Sequence, residues 1–279
     1  MSAQSPVLVG IDGSPDGLIA LTWAARFASL QHTPLHAIFV LDDEHELEPA
    51  PPPPGPDDGS EVLADAAREL DRIGFRNASL EVCHGHPSKV LPKQSEHAQA
   101  LVVGRRGLGG FAELVLGSTP RVCTAPSTDV PLIVVPGTWD AAAPPHRRIV
   151  VGVDGSLEGQ HAVRFAFEVA AATGAEVRGV HAADIQAGSP YPSGQPWDAA
   201  DDELLTRSLD RWLAKYPEVA VDQRGVAEHP VRALAQESEH ADLVVVGGLG
   251  ETEFSEQLGP VARGLLYHSR CPVAVIHHT

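Results

Sequence analysis

Between Gly104 and Thr119 the chain reads Gly104-Arg105-Arg106-Gly107, nine residues, then Gly117-Ser118-Thr119. Glycine lets backbone N–H groups approach a phosphate closely, and the hydroxyls of Ser118 and Thr119 add donors. A helix beginning just after Gly117 would supply unpaired amides and the positive end of its dipole. The chemistry is oxyanion binding, and the stretch reads as a cradle for nucleotide phosphates. A tight strand-to-helix connection with no ligand is the rival reading. No Gly-Lys-Ser/Thr follows, which excludes a Walker A loop. Gly107-Leu-Gly109-Gly-Phe-Ala112 fits a dinucleotide pattern but falls late in its unit.

The cradle needs a strand to carry it, and Leu101–Val103 is the apolar, β-branched run that reads as one. A second such run opens the chain as Val7-Leu-Val-Gly10-Ile-Asp12-Gly-Ser14 and reappears as Ile149-Val-Val-Gly-Val-Asp154-Gly-Ser156. Helical stretches follow at Leu18–Leu30 and Gln160–Thr173, then strands at His36–Leu41 and Val177–Ala182. Leu101–Gly104 matches Leu243–Gly247, and Val130–Val135 matches Cys271–Ile276. The offset between matched positions stays at 142, 143 and 141, which marks a duplication. Each copy alternates apolar strands with amphipathic segments, predicting a parallel five-stranded sheet with helices on both faces.

Residues 1–137 and 148–279 are therefore expected to be two α/β domains, joined by an Ala/Pro-rich linker over 138–147. Proline-rich insertions at Pro49–Pro56 and Gly188–Pro196 follow the second strand of each copy and read as surface loops, with second helices at Asp57–Ile73 and Asp198–Tyr216. Pro92, past the first turn of a helix beginning near Pro87, predicts a kink or early break.

The formal net charge of −17 over 279 residues opposes binding to nucleic acid or anionic lipid. Local donors must therefore overcome the global field for any polyanion to bind. No apolar run reaches membrane-spanning length and the first residues lack a signal-peptide pattern, so the expectation is a cytoplasmic protein. Cys83, Cys123 and Cys271 form no CxxC and read as free buried thiols. His84-Gly-His86 and the His277-His278 tail have no ligand set around them, so no resident metal is expected. The acidic Asp42–Glu46 run reads as solvated. No nucleophile elbow or placeable Cys/His pair is present, which favours a binder with at most slow ATP hydrolysis over an enzyme.

A tandem α/β repeat that opens on V-x-V-G-I-D-G-S and carries G-x2-G-x9-G-[ST] before its last helix resembles the universal stress protein family in its two-domain form. The resemblance covers nearly the whole chain. It implies an open-twisted, Rossmann-like fold of the adenine nucleotide alpha hydrolase-like kind, ATP binding, and a part in stress or dormancy responses. It also implies that Gly10 and Asp12 end the first strand at the adenine edge, and that Val40 meets the base through its backbone. Val103, Gly104, Arg105 and Gly107 would line ribose and phosphate, and Gly117, Ser118 and Thr119 would hold the phosphates. Mg²⁺ would be bound through phosphate oxygens and water. A carboxylate at Asp12 can equally serve the turn that follows it.

The second copy departs from this pattern. It reads Gly247-Gly248-Leu249-Gly250, eight residues, then Gly259-Pro260. The proline removes an N–H that a phosphate would use while leaving a helix start intact. Residues 248–258 sum to −3, against +1 for residues 105–116. One tight nucleotide site per chain is expected, in the first copy, with at most a weak site at Asp154, Ala182, Gly247, Gly250 and Gly259. In this family the final strands pair across an approximate two-fold, which implies pairing of the two domains within the chain and other surfaces for a homodimer. The competing expectations are a nucleotide-independent scaffold working through its sheet edges and, third, a flavin or ATP-pyrophosphatase-type enzyme.

Overall fold

Strands buried on both faces must be apolar at consecutive positions, and Val7–Ile11, Ala100–Gly104 and Leu132–Val135 are. The computed structural model describes residues 5–42, 59–106, 130–182, 199–248 and 258–277. The two proline-rich insertions, Gly107 through Thr119, Cys123 and Gly250 lie outside the described residues. The chain divides into two units, Met1–Ala141 and Ala142–Thr279.

Unit one contains β1 (Val7–Ile11), α1 (Pro15–Leu30), β2 (Leu35–Leu41), α2 (Ser60–Arg72), β3 (Ala78–His84), α3 (Pro87–Ser95), β4 (Ala100–Gly104) and β5 (Leu132–Val135). Its strands lie in the order β3-β2-β1-β4-β5, and every pair is parallel. Unit two repeats the plan with β6 (Arg148–Gly152), α4 (Leu157–Thr173), β7 (Glu176–Ala182), α5 (Ala199–Leu213), β8 (Val221–Val226), α6 (Pro230–Glu237), β9 (Leu243–Gly247), α7 (Pro260–His268) and β10 (Val273–Ile276). The order there is β10-β9-β6-β7-β8, again parallel. The first strand of each unit thus sits between its second and fourth. The winding reverses at β1/β4 and at β6/β9, and open α/β sheets form their ligand crevice at the carboxyl ends of the strands at such a switch point.

Glycines set how closely the layers approach. A Cβ on Gly10 would fall 2.8 Å from Leu91 of α3, and one on Gly152 would fall 3.2 Å from Leu234 of α6. Both positions leave room for a helix on that face, while α1 and α4 cover β1 and β4, and β6 and β9, on the other. A Cβ on Gly264 would fall 2.6 Å from Val231 Cγ2, so α6 and α7 meet where α7 has no side chain.

Helices α1 and α4 begin three residues earlier than the apolar pattern suggests, because Ser14 and Ser156 are their N-caps and each accepts a backbone N–H. The break expected at Pro92 does not occur, and α3 runs through it to Ser95. Only one N–H is lost at Pro92, and the Ser95 hydroxyl donates to the Pro92 carbonyl at 2.8 Å. The segment after β5 is tied to its own unit, since Arg26 stacks on the Trp139 ring at 5.4 Å and donates to the Ala141 carbonyl.

Gly264→Val should lower the stability of unit two by about 1–3 kcal/mol through overpacking against Val231. Urea denaturation checks this, and Val231→Ala in the same chain should recover part of the loss.

Candidate functional site

The Asp12-Gly13-Ser14 turn builds the edge of the crevice in unit one. Gly13 adopts φ +78°, a left-handed conformation that lets the chain reverse at the end of β1. The Asp12 carboxylate accepts the Ser14 amide at 3.0 Å through Oδ1, and the same oxygen accepts the Ser14 hydroxyl at 2.6 Å. Ser14 Oγ in turn accepts the Gly17 amide at 3.0 Å, closing the first turn of α1. It also comes within 3.5 Å of the Arg106 carbonyl, so the turn after β1 meets the segment leaving β4. A Cβ on Gly17 would fall 2.7 Å from Asp12 Oδ1, so only glycine gives the carboxylate this place.

Other residues named from the sequence gather along this edge. Gly104 ends β4, where a Cβ would fall 2.9 Å from the Asp16 backbone, and its close approach to α1 is a packing requirement. The Arg105 amide donates to the Val135 carbonyl at 2.9 Å, just beyond the end of β4. Val103 is buried in the sheet. Val40 follows the last β1–β2 register pair, Ile11 and Phe39, so its β1-facing edge lies beyond that ladder. Gly10 is half-buried within β1, where a Cβ would meet Leu91 of α3. Gly107, Gly117, Ser118 and Thr119 lie outside the described residues.

Unit two repeats the turn closely. Asp154 Oδ1 accepts the Ser156 amide at 3.0 Å and its hydroxyl at 2.6 Å, and Ser156 Oγ accepts the Gly159 amide at 2.9 Å. Ala182 ends β7, and Gly247 packs against Glu158 in the first turn of α4. At Gly259 the copies part. Its amide donates to the Gly248 carbonyl at 2.7 Å, so the donor expected at the start of α7 is already engaged, and Pro260 offers none.

Two features escaped the sequence reading. His86 and His229 are the N-caps of α3 and α6, where Nδ1 accepts the Ser88 amide at 3.3 Å and the Val231 amide at 3.2 Å. The repeated His-Pro pair, His86-Pro87 and His229-Pro230, was the available signal. The other feature is His277, which the sequence shows only as part of a tail pair with no ligand set around it. It is 3% exposed, and burial pushes its imidazole below the ordinary histidine range. Cys83 and Cys271 are free and buried, and burial pushes the Cys271 thiol up to about 12, which leaves it protonated and unreactive.

A tandem pair of parallel α/β units, each with an Asp-Gly-Ser corner after its first strand, defines an open, doubly wound fold class. A profile of the universal stress protein family matches residues 5–136 and again residues 145–277. A universal stress protein of Mycobacterium tuberculosis is 31% identical over 287 residues, spanning 96% of this chain and 95% of the relative. One from Mycolicibacterium smegmatis is 29% identical over 287 residues, spanning 97% and 96%. The crystal structure of a universal stress protein from Archaeoglobus fulgidus shares the fold with a TM-score of 0.73 at 19% identity, covering 99% of this chain and 97% of that one. The chain belongs to the universal stress protein family and carries two copies of its domain. Among the described residues no helix is long and apolar enough to cross a membrane.

His277 gives the site a pH dependence whose sign follows from its lowered pKa. Below the ordinary histidine range the unfolded chain binds a proton that the folded chain refuses, so this residue subtracts stability as pH falls. Unfolding midpoints at about pH 7.5 and about pH 5.5 should differ less in His277→Leu than in the parent chain.

Proposed function

We propose that this chain binds one adenine nucleotide, ATP with Mg²⁺ held through phosphate oxygens, in its first domain, residues 1–137. Occupancy is then read out through dimer or partner surfaces in a stress or dormancy response. The observation that carries this reading is the meeting of the Asp12-Ser14 turn with Arg106 at the β1/β4 switch point, where parallel α/β sheets take ligands. The Asp12 carboxylate faces the base, and Arg105 supplies cationic charge where the −17 net charge would otherwise repel a triphosphate. Gly107, Gly117, Ser118 and Thr119 complete the phosphate cradle.

The engaged Gly259 amide and Pro260 support a single nucleotide site per chain. No residue role beyond binding and positioning is required, and the protein acts as a nucleotide-dependent binder. Cytoplasmic residence and homodimer formation belong to the same proposal.

Isothermal titration of the full chain with Mg·ATP should give one site per chain. Asp12→Ala and Gly117→Val should each weaken it by about tenfold or more, the loss of one charge-assisted hydrogen bond or one phosphate contact. Two equivalent sites, or ATP affinity untouched by both substitutions, would overturn the assignment. Mass spectrometry of ligand released from freshly purified protein gives an independent reading, with adenine nucleotide supporting the proposal and flavin contradicting it.

A further inference from the structure

A groove of about 830 Å³ runs along the seam between α6 and α7 of unit two, and no residue of the Asp154 turn lines it. Its floor is Val231 and Ala235 of α6 and Gly264 of α7, all half-buried, while its rim carries the exposed Gln236, Glu239, His268 and Arg270. Val231, Ala235 and Glu239 recur every fourth residue, so one line of side chains runs about 12 Å along the seam and passes from apolar to charged. The floor is low because Gly264 has no side chain where α7 meets Val231, and Ala235 has only a methyl group. A space of this size is in the range that takes a small organic ligand.

The charged end of the groove is held by its backbone. Ser238, in the single turn that continues α6, donates its hydroxyl to the Ala235 carbonyl at 2.6 Å and accepts the Arg270 amide at 2.9 Å. Beside it the Ser269 hydroxyl donates to the Cys271 carbonyl at 2.7 Å. The Arg270 guanidinium itself makes no ion pair or hydrogen bond among the described residues, and neither does the carboxylate of Glu239, the residue after Ser238. Two opposite charges therefore line one cavity without meeting each other. A molecule that carries an anion and a cation on adjacent atoms satisfies both.

We propose that the α6/α7 groove binds a free α-amino acid with an apolar side chain, its carboxylate on Arg270, its ammonium on Glu239 and its side chain along Ala235, Gly264 and Val231. A guanidinium presents a planar fork that matches a carboxylate, and a glutamate carboxylate accepts the protons of an ammonium. The zwitterion carries no net charge, so the −17 of the chain does not oppose it as it opposes an organic anion. Unit one lacks the arrangement. Ser88 stands in place of Val231, with its hydroxyl 2.6 Å from His86 Nδ1, Pro92 stands in place of Ala235, and in the sequence Asp129 occupies the position of Arg270. The inference goes beyond the nucleotide reading and does not depend on it.

The test is calorimetry of the full chain with L-leucine, which should give one saturable event and shift the Ala235 methyl resonance in parallel. N-acetyl-L-leucine, which lacks the ammonium, and L-leucinamide, which lacks the carboxylate, should each bind about tenfold more weakly. Arg270→Gln should erase the preference for leucine over leucinamide, and Glu239→Gln the preference over N-acetyl-leucine, each exposed substitution leaving the urea midpoint in place. Ala235→Leu, which fills the floor, should abolish the event. A chain that gives no leucine binding, that takes either derivative as tightly as leucine, or that keeps both preferences in the Arg270 and Glu239 variants overturns the inference.

Discussion

The 2.6 Å hydrogen bond from the Ser14 hydroxyl to the Asp12 carboxylate joins strand, turn and helix at the end of β1. A serine hydroxyl has one proton to give. Because Asp12 takes it, Ser14 Oγ must act as acceptor toward the helix, and the Gly17 amide is its donor. The polarity of the whole corner is therefore set by the charge on Asp12. Gly13 is needed for the reversal and Gly17 for the space, so four of the six residues from Asp12 to Gly17 serve one turn. The corner ties the end of β1 to the start of α1, and Arg106 brings the segment leaving β4 against it.

The duplication shows how little of the chain this corner constrains. Unit two reproduces it to within about 0.1 Å while surrounding side chains have been exchanged. Where β2 and β3 carry a half-buried His36–Glu81 contact at 3.0 Å, β7 and β8 carry Arg178 and Arg224 converging on Glu237, with Arg178 also on Asp222 at 2.7 Å. Glu237 is 4% exposed, and those two guanidiniums are its ion-pair partners. Two copies of one backbone can carry different electrostatics because the apolar ladders, not the polar contacts, hold the sheets.

The same division separates what could be read before the structure from what could not. The strands, the repeat and the parallel order follow from apolar runs that recur at a nearly constant offset, and a parallel strand buried on both faces leaves few other readings. The Asp12 corner was legible as a motif but ambiguous in role, and the structure shows the carboxylate serving the turn through Oδ1 while lying at the crevice edge. The resemblance sets Gly10 at the adenine edge and Gly104 beside ribose and phosphate. Their missing side chains also admit Leu91 and the Asp16 backbone, contacts between segments about 80 to 90 residues apart that no local pattern encodes.

Sequence alone thus determined the family of fold, the duplication and the place of the crevice, because these depend on periodicity and composition carried by contiguous residues. Tertiary structure decided which donors are spent and which polar groups are stranded. The Gly259 amide is consumed by a carbonyl eleven residues earlier, and the His277 ring, delivered by β10, lies over Gly248. Burial and hydrogen-bond satisfaction are properties of packed neighbours, and the neighbours are brought together only when the strands are laid side by side.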